Sequence, residues 1–196
     1  ADGKAQVTVA YGEDDKFRYI ASVLVSVQHD ADADLDALRD GVRELIIKPA
    51  LCDFDISKTE IIINPSGRFV KGGFEADTGL TGRKLMVDTY GGIAHHGGGA
   101  MSGKDPSKVD RSGAYMARYI ANAIVKADLA DKCEVAIAYA IGRAQPTAVN
   151  VDTFGTWTTT PDRYIAEAIS KAFDLTPAGI IRQLKLKDIG YKHTAI

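Results

Sequence analysis

The chain reads as an α+β protein, with repeated units of mainly antiparallel sheet and helices packed on one face of each. Three observations carry this reading. Residues 7–27 hold two stretches of alternating apolar and polar residues around a turn. Amphipathic runs of helical period stand beside these strands without a strict one-for-one alternation. A similar set of elements recurs, in a different order, after a glycine-rich middle. That combination favours sheets with helices segregated to one face over a parallel doubly wound sheet.

Taken in order, Val7 and Val9 alternate with polar residues in QVTVAY, and Val23, Val25 and Val27 do so in ASVLVSV. GEDD at 12–15 has turn composition, so the pair predicts a β-hairpin. From Asp34 the period changes: Leu35, Leu38, Val42, Leu45 and Ile46 share one helical face, with Pro49 after the last turn. A third strand is expected over 61–64, closing the first unit at PSGRF. In the second half, 108–126 predicts a helix with Ala117, Ile120, Ile124 and Val125 inward. Strands are expected over 134–141 and 147–154, joined around Gly142 and Pro146. Thr160 and Pro161 read as the N-cap and first position of a helix through Ile165, Ile169 and Phe173, and PAGIIRQLKL adds one short element. The expected division is 1–70 and 71–196, the second part carrying a candidate phosphate-binding loop at 91–111.

Composition narrows the function classes. A chain of 196 residues, 45% hydrophobic and 26% charged, has the makeup of a soluble globular protein. Its net charge of -2 argues against bulk attraction to nucleic acid or an anionic membrane, and no apolar run is long enough to suggest a membrane span. Cys52 and Cys133 lie far apart without CxxC spacing, so free thiols and a reducing, cytoplasmic setting are expected. The start, ADGKAQVTV, carries neither a signal-peptide profile nor an initiator methionine, which suggests a processed or truncated piece.

The chemistry concentrates in the middle. Of 19 glycines, 12 fall between Gly67 and Gly113, so the segment is functional or disordered; the apolar, strand-like KLMVDTY within it speaks against disorder. Arg68, Lys71, Arg83, Lys84, Lys104, Lys108 and Arg111 outnumber Glu75, Asp77, Asp88, Asp105 and Asp110 in a chain that is acidic as a whole. Cations beside unhindered amides are what a polyphosphate requires, although a solvated surface loop has the same composition. From Gly98 the spacing to Gly103 and Lys104 nearly matches a P-loop, but Asp105 and Pro106 follow where a magnesium-binding hydroxyl should stand. Pro106 is expected to leave Lys104 before the helix and Lys108 and Asp110 in its first turn, where free amides attract anions. Ser107 and Asp110 also fit a capping box; beside a triphosphate, Asp110 could instead bind Mg²⁺. His95 and His96 point opposite ways in an extended loop and do not make a zinc site. Phe69 could stack on a base or belong to the core.

GRF (67–69), DTGLTGRK (77–84), VDTYGG (87–92) and HGGGAMSGKDPSKVDRS (96–112) resemble S-adenosylmethionine synthetase, the methionine adenosyltransferase family; SVQHD (26–30) and YAIG (139–142) fit it too. The resemblance implies three similar α+β units about a pseudo-threefold, of which this chain would hold two. It implies transfer of adenosyl from ATP to the sulfur of L-methionine, with triphosphate displaced and cleaved to pyrophosphate and phosphate. A thioether needs no base, so the demand falls on alignment and on stabilising the leaving charge. By matched position, Lys104, Arg83 and Lys108 would carry catalysis, with Arg83, Lys84 and Lys104 on the triphosphate. Asp110 would bind Mg²⁺, and Asp77 and Lys108 would contact methionine. Arg68 and Phe69 would hold the adenine end, while Asp2, Gly3, Lys4, Asp77 and Ala100 would line the ATP site. ATP, L-methionine and a second copy of the chain, as homodimer or tetramer, are the implied partners, with neither nucleic acid nor membrane.

The chain departs from the family pattern GGPxGDxGLTGRK at Phe74 and Ala76, and Met101 replaces a common phenylalanine. The family's N-terminal GHPDK motif, with its histidine, a magnesium-binding aspartate and, further on, a K⁺-binding glutamate, is absent. The expectation is therefore a central plus C-terminal portion with little turnover alone. Alternatives are a non-catalytic nucleotide- or polyphosphate-binding fragment, a P-loop phosphotransferase, and a structural module.

Overall fold

The structure, a computed structural model, describes residues 1–194. The chain forms two compact units, one over Ala1–Gly79 and one from Leu80 onward.

In the first unit, β1 (Gly3–Tyr11) and β2 (Phe17–Val27) form the expected antiparallel hairpin. β3 (Glu60–Ile63) joins β2 in parallel, so the sheet is mixed. Thr8 pairs with Ser22 and Val9 with Ile20, leaving Ala21 as a bulge. The extra residue lets Ile20 and Val23, three apart, face the same core, after which Val25 follows at the normal period of two. Asp34 caps α1 (Leu35–Val42) by accepting from the Asp36 and Ala37 amides at 2.9 and 3.2 Å.

The helical face expected through Leu45 and Ile46 is not the buried one. Arg43–Ile47 is a π-turn, in which Lys48 N–H donates to Arg43 O, before α2 (Lys48–Ala50). The added residue rotates the chain, so Ile47, five after Val42, enters the core at 3% exposure. Leu45 and Ile46 stay 78% and 50% exposed. Pro49 lies inside the short α2 rather than after the last turn.

The second unit holds an antiparallel pair, β4 (Glu134–Ala138) and β5 (Ala148–Asp152), each shorter than its sequence pattern. The helices α4 (Val109–Lys126), α5 (Asp162–Ala172) and α6 (Pro177–Gln183) contribute to one core with them. Met116, Ile120 and Ile124 on α4 meet Val151, Ile165, Ile169 and Ile180. Val125 is exposed and Ala117 half-buried, against the inward face expected of both. The cap of α5 falls one residue later than Thr160, at Pro161, with no side-chain bond. Asp162 instead reaches back to buried Thr153, accepting from its Oγ1 at 2.6 Å and its amide at 3.3 Å, and so ties the helix start to the end of β5. KLMVDTY contains a single helical turn, α3 (Leu85–Asp88), with Met86 and Val87 exposed, rather than a strand.

Candidate active site

Asn64 ends β3 and turns the chain at φ 44°. It is buried, and its carboxamide pairs with both polar atoms of the Val27 backbone at 2.9 Å, as a ladder residue would. The chain then passes Gly67 at φ 88° and returns beside residues 28 and 29. A cavity of 230 Å³ lies here, lined by Lys4, Ser26, Asn64, Ser66, Gly67 and Phe69. Lys4 and Phe69 are thus brought together. Arg68 turns away, donating to the carbonyls of Ala31 and Ala33 at 3.0 and 2.9 Å. Gly3 lies in β1, where a Cβ would stand 3.2 Å from Ser26 O.

Asp2 accepts from the Gly73 amide at 3.0 Å and from the Gly3 amide at 2.8 Å, bonds that hold its carboxyl below the usual carboxylate range. Gly72 packs so closely on Asp2 and Gln28 that a Cβ would lie 2.9 and 2.8 Å from their side chains. Phe74 and Ala76 belong to a short 3₁₀ turn and its cap, with Phe74 exposed. Asp77 is exposed and accepts from the Gly79 amide at 3.2 Å.

In the second unit the glycine contacts reveal how the cationic segments meet. A Cβ on Gly82, at φ 74°, would lie 2.7 Å from the Ala100 Cβ, and one on Gly103 would lie 3.3 Å from the Thr81 side chain. A Cβ on Gly99 would collide with the Asp110 carboxylate. TGRK at 81–84 is therefore seated against 100–103, and 99 against the first turn of α4. Arg83, Lys84 and Lys108 are exposed, and no hydrogen bond or ion pair engages their head groups among the described residues. Lys104, in contrast, is paired with Asp110. The cavity of 420 Å³ in this unit lies elsewhere, between Gln145–Val149 and Ser170–Leu175.

The capping box over Ser107 and Asp110 is not formed. Lys108 occupies the N-cap by backbone alone, one residue before the first turn in which it was expected. Asp105 accepts from the Ser107 amide at 2.8 Å, and Asp110 is committed to Lys104. Asp110 supplies one carboxylate, and no group of three or more His, Cys, Asp or Glu converges among the described residues. One carboxylate plus phosphate oxygens is a donor set that Mg²⁺ accepts.

Sequence reasoning missed groups that hold this segment in place. Glu134, at the start of β4, accepts from the His95 amide at 2.9 Å and pairs with its Nδ1 at 2.8 Å, anchoring the entry to the glycine-rich loop. This raises the His95 pKa, through the hydrogen bond first and the charge second. His96 faces a different partner, accepting from the Gly98 amide at 2.7 Å. Arg111, counted among the phosphate cations, donates to the Lys104 carbonyl and stacks 3.8 Å from the Tyr191 ring centroid. It braces the loop exit instead of facing a ligand. Both cysteines are free thiols; burial pushes Cys133 up to about 11, away from reactivity.

The parallel β2–β3 pair does not rescue the P-loop alternative, because the glycine-lysine loop precedes α4 in the unit whose sheet is antiparallel. Residues 71–196 match the family model described as S-adenosylmethionine synthetase, C-terminal domain, and residues 1–69 match that of the central domain. The chain belongs to the S-adenosylmethionine synthetase family. Its relatives include the S-adenosylmethionine synthase of Fusobacterium nucleatum, 54% identical over 98% of this chain and 50% of the relative. That of Staphylococcus epidermidis is 54% identical over 99% of this chain and 49% of the relative. An S-adenosylmethionine synthetase structure from Campylobacter jejuni superposes with a TM-score of 0.87 at 42% identity, over 97% of this chain and 51% of that one. The chain spans about half the length of the curated relatives it matches. In S-adenosylmethionine synthetase terms, 71–79 matches the C-terminal domain, yet Gly73 donates to Asp2 and the stretch folds with the first unit.

Proposed function

We propose that the protein containing this chain is a methionine adenosyltransferase. It forms S-adenosylmethionine from L-methionine and ATP and cleaves the displaced triphosphate to pyrophosphate and phosphate. The observation that carries the reading is the seating of Gly82 on Ala100 and of Gly99 on Asp110. It gathers the arginine–lysine pair and the glycine–lysine–aspartate segment without side-chain bulk between them.

In this reading 1–70 serves as the central domain equivalent and 71–196 as the C-terminal one, with the loop 91–111 as the phosphate cradle. Arg83, Lys84 and Lys104 grip the triphosphate, where cations offset charge that builds as the C5′–oxygen bond breaks. Lys104 must leave Asp110 to do so. Mg²⁺, held by Asp110 and phosphate oxygens, would supply further charge neutralisation. Asp77 accepts from the methionine ammonium, and Lys108 orients the amino acid. Asp2, Gly3, Lys4, Arg68, Phe69 and Ala100 line the nucleotide site; Arg68 must then exchange its two carbonyl partners or act through them. The K⁺ ligand belongs to the family's N-terminal part, and a homodimer or tetramer in the cytoplasm completes the proposal.

The test is methionine-dependent formation of S-adenosylmethionine, with pyrophosphate and phosphate, from ATP by the full-length protein. Wild type turns over, while Lys104→Ala loses on the order of a hundredfold or more in kcat, as removal of a charge-stabilising donor does. Equal rates would sink the assignment. The 196-residue chain alone is expected to show little turnover. A second reading, polyphosphate binding without catalysis, is favoured by the unengaged head groups of Arg83 and Lys84. It requires the isolated chain to bind Mg·ATP more weakly once Lys104 becomes Ala.

A further inference from the structure

We infer that His29 is a positioning residue that fixes the Phe69 backbone, and with it one wall of the Lys4–Phe69 cavity, through a single neutral tautomer. Phe69 N–H donates to His29 Nε2 at 3.0 Å, so Nε2 carries no proton. His29 Nδ1 lies 2.8 Å from Asp30 O, a carbonyl that only accepts, so Nδ1 carries it. Two independent partners thus demand the same Nδ1–H form. The His29 amide in turn donates to Phe69 O at 3.0 Å, which closes a two-bond clamp on both polar atoms of the Phe69 backbone.

Neighbouring bonds extend the clamp on either side. Gln28 Nε2 donates to Val70 O at 2.9 Å, and Arg68 spans the carbonyls of Ala31 and Ala33. The stretch 28–33 therefore does for 68–70 what a neighbouring strand would do, beyond the point where Asn64 has ended the sheet. Side chains make most of these bonds, and those of His29 grip Phe69, which lines the cavity. An imidazolium would set two N–H groups face to face and release it.

The functional consequence rests on the reading that Phe69 flanks the nucleotide. In the full-length protein, wild type, His29→Gln and His29→Asn are compared for KM and kcat with ATP and with methionine. Gln reaches far enough for its Oε1 to replace Nε2 as acceptor; Asn does not. His29→Asn raises the KM for ATP by roughly tenfold to a hundredfold, the effect of stranding one amide, with the KM for methionine unchanged. His29→Gln stays within about threefold of wild type, since its acceptor keeps the amide paired. In the wild type, ¹⁵N shifts of selectively labelled histidine report the Nδ1–H tautomer, and the Phe69 amide is protected from exchange. An Nε2–H tautomer, an unprotected Phe69 amide, or equal KM values in both variants overturns the inference. Should the wild type not use ATP and methionine at all, the proposed activity fails instead. The clamp is then decided by tautomer and by Phe69 amide protection, retained in His29→Gln and lost in His29→Asn. If His29→Asn fails to fold, the wild-type tautomer and amide protection decide it in the same way.

Discussion

Gly82→Ala tests the contact on which the proposed phosphate cradle depends. At φ 74° an alanine adopts the left-handed region at a cost of about 1–2 kcal/mol. Its Cβ would also stand 2.7 Å from the Ala100 Cβ, so one segment must move, at a further cost of about 1–3 kcal/mol. The surrounding stretch has little buried apolar surface to absorb this, with Leu80, Met86 and Val87 all exposed. The expected response is therefore detachment of 80–104, not unfolding of the second unit. Amide exchange across 81–104 should accelerate, on the order of thirtyfold to a few thousandfold for about 2–5 kcal/mol. The denaturation midpoint followed by Trp157, the chain's one tryptophan, should hardly move. Adding Ala100→Gly removes the steric part and leaves the backbone part, so exchange falls back to about tenfold above wild type. A double variant as fast as Gly82→Ala, or a single variant as slow as wild type, would refute the contact and with it the gathering of Arg83 and Lys104.

Met116→Ala empties a fully buried site at the centre of the second core and should cost about 2–5 kcal/mol in urea denaturation followed by Trp157; a loss below about 1 kcal/mol would contradict the packing. The His95–Glu134 clamp predicts a pH window. Glu134 is held below its ordinary 4.5, first by the His95 amide, so its contribution is present above 4.5 and lost as pH falls through the depressed value. His95 is raised above its ordinary 6.5 by Glu134, so its contribution is present below 6.5 and lost as pH rises through the raised value. Protection factors of the amides at 95–98 should peak between those limits, and Glu134→Gln should flatten the profile; a peak that survives the substitution assigns it to other groups.

Much of the architecture was legible because it rests on period and punctuation. The hairpin, α4 and the β4–β5 pair follow from apolar spacing, and the short element expected in PAGIIRQLKL is α6. What failed was phase. Nothing in RELII announces a π-turn, and a regular helix would have buried Leu45 and Ile46 instead of Ile47. Val125 was misjudged by its chemistry alone: the core of α4 follows Met116, Ile120 and Ile124, and Val125 falls one residue off that stripe. KLMVDTY has strand composition but joins no sheet among the described residues, and it takes one helical turn between glycine-rich loops.

The candidate site divides along a sharper line. Cations and glycines advertise themselves through composition, since a ligand phosphate constrains residue type directly. The groups that hold those residues in place do not. His29 reaches Phe69 across 40 residues, Glu134 reaches His95 across 39, and Asn64 reaches Val27 across 37. Each is a polar side chain bonded to a distant backbone atom, a partnership that any acceptor of the right length could make and that tertiary pairing alone decides. Arg111 makes the same point in reverse. Its charge counted it among the cations of the glycine-rich segment, yet the Lys104 carbonyl and the Tyr191 ring claim it for the frame. Charge count therefore overstates the set free to face a ligand: of the second unit's five cations in the glycine-rich span, Arg83, Lys84 and Lys108 have head groups unengaged among the described residues, and Lys104 joins them by giving up Asp110. Anion affinity in this loop should accordingly depend on what happens to Asp110, and Asp110→Asn should strengthen the hold on inorganic triphosphate measured without divalent metal. Unchanged or weaker binding would mean that the ion pair does not restrain Lys104.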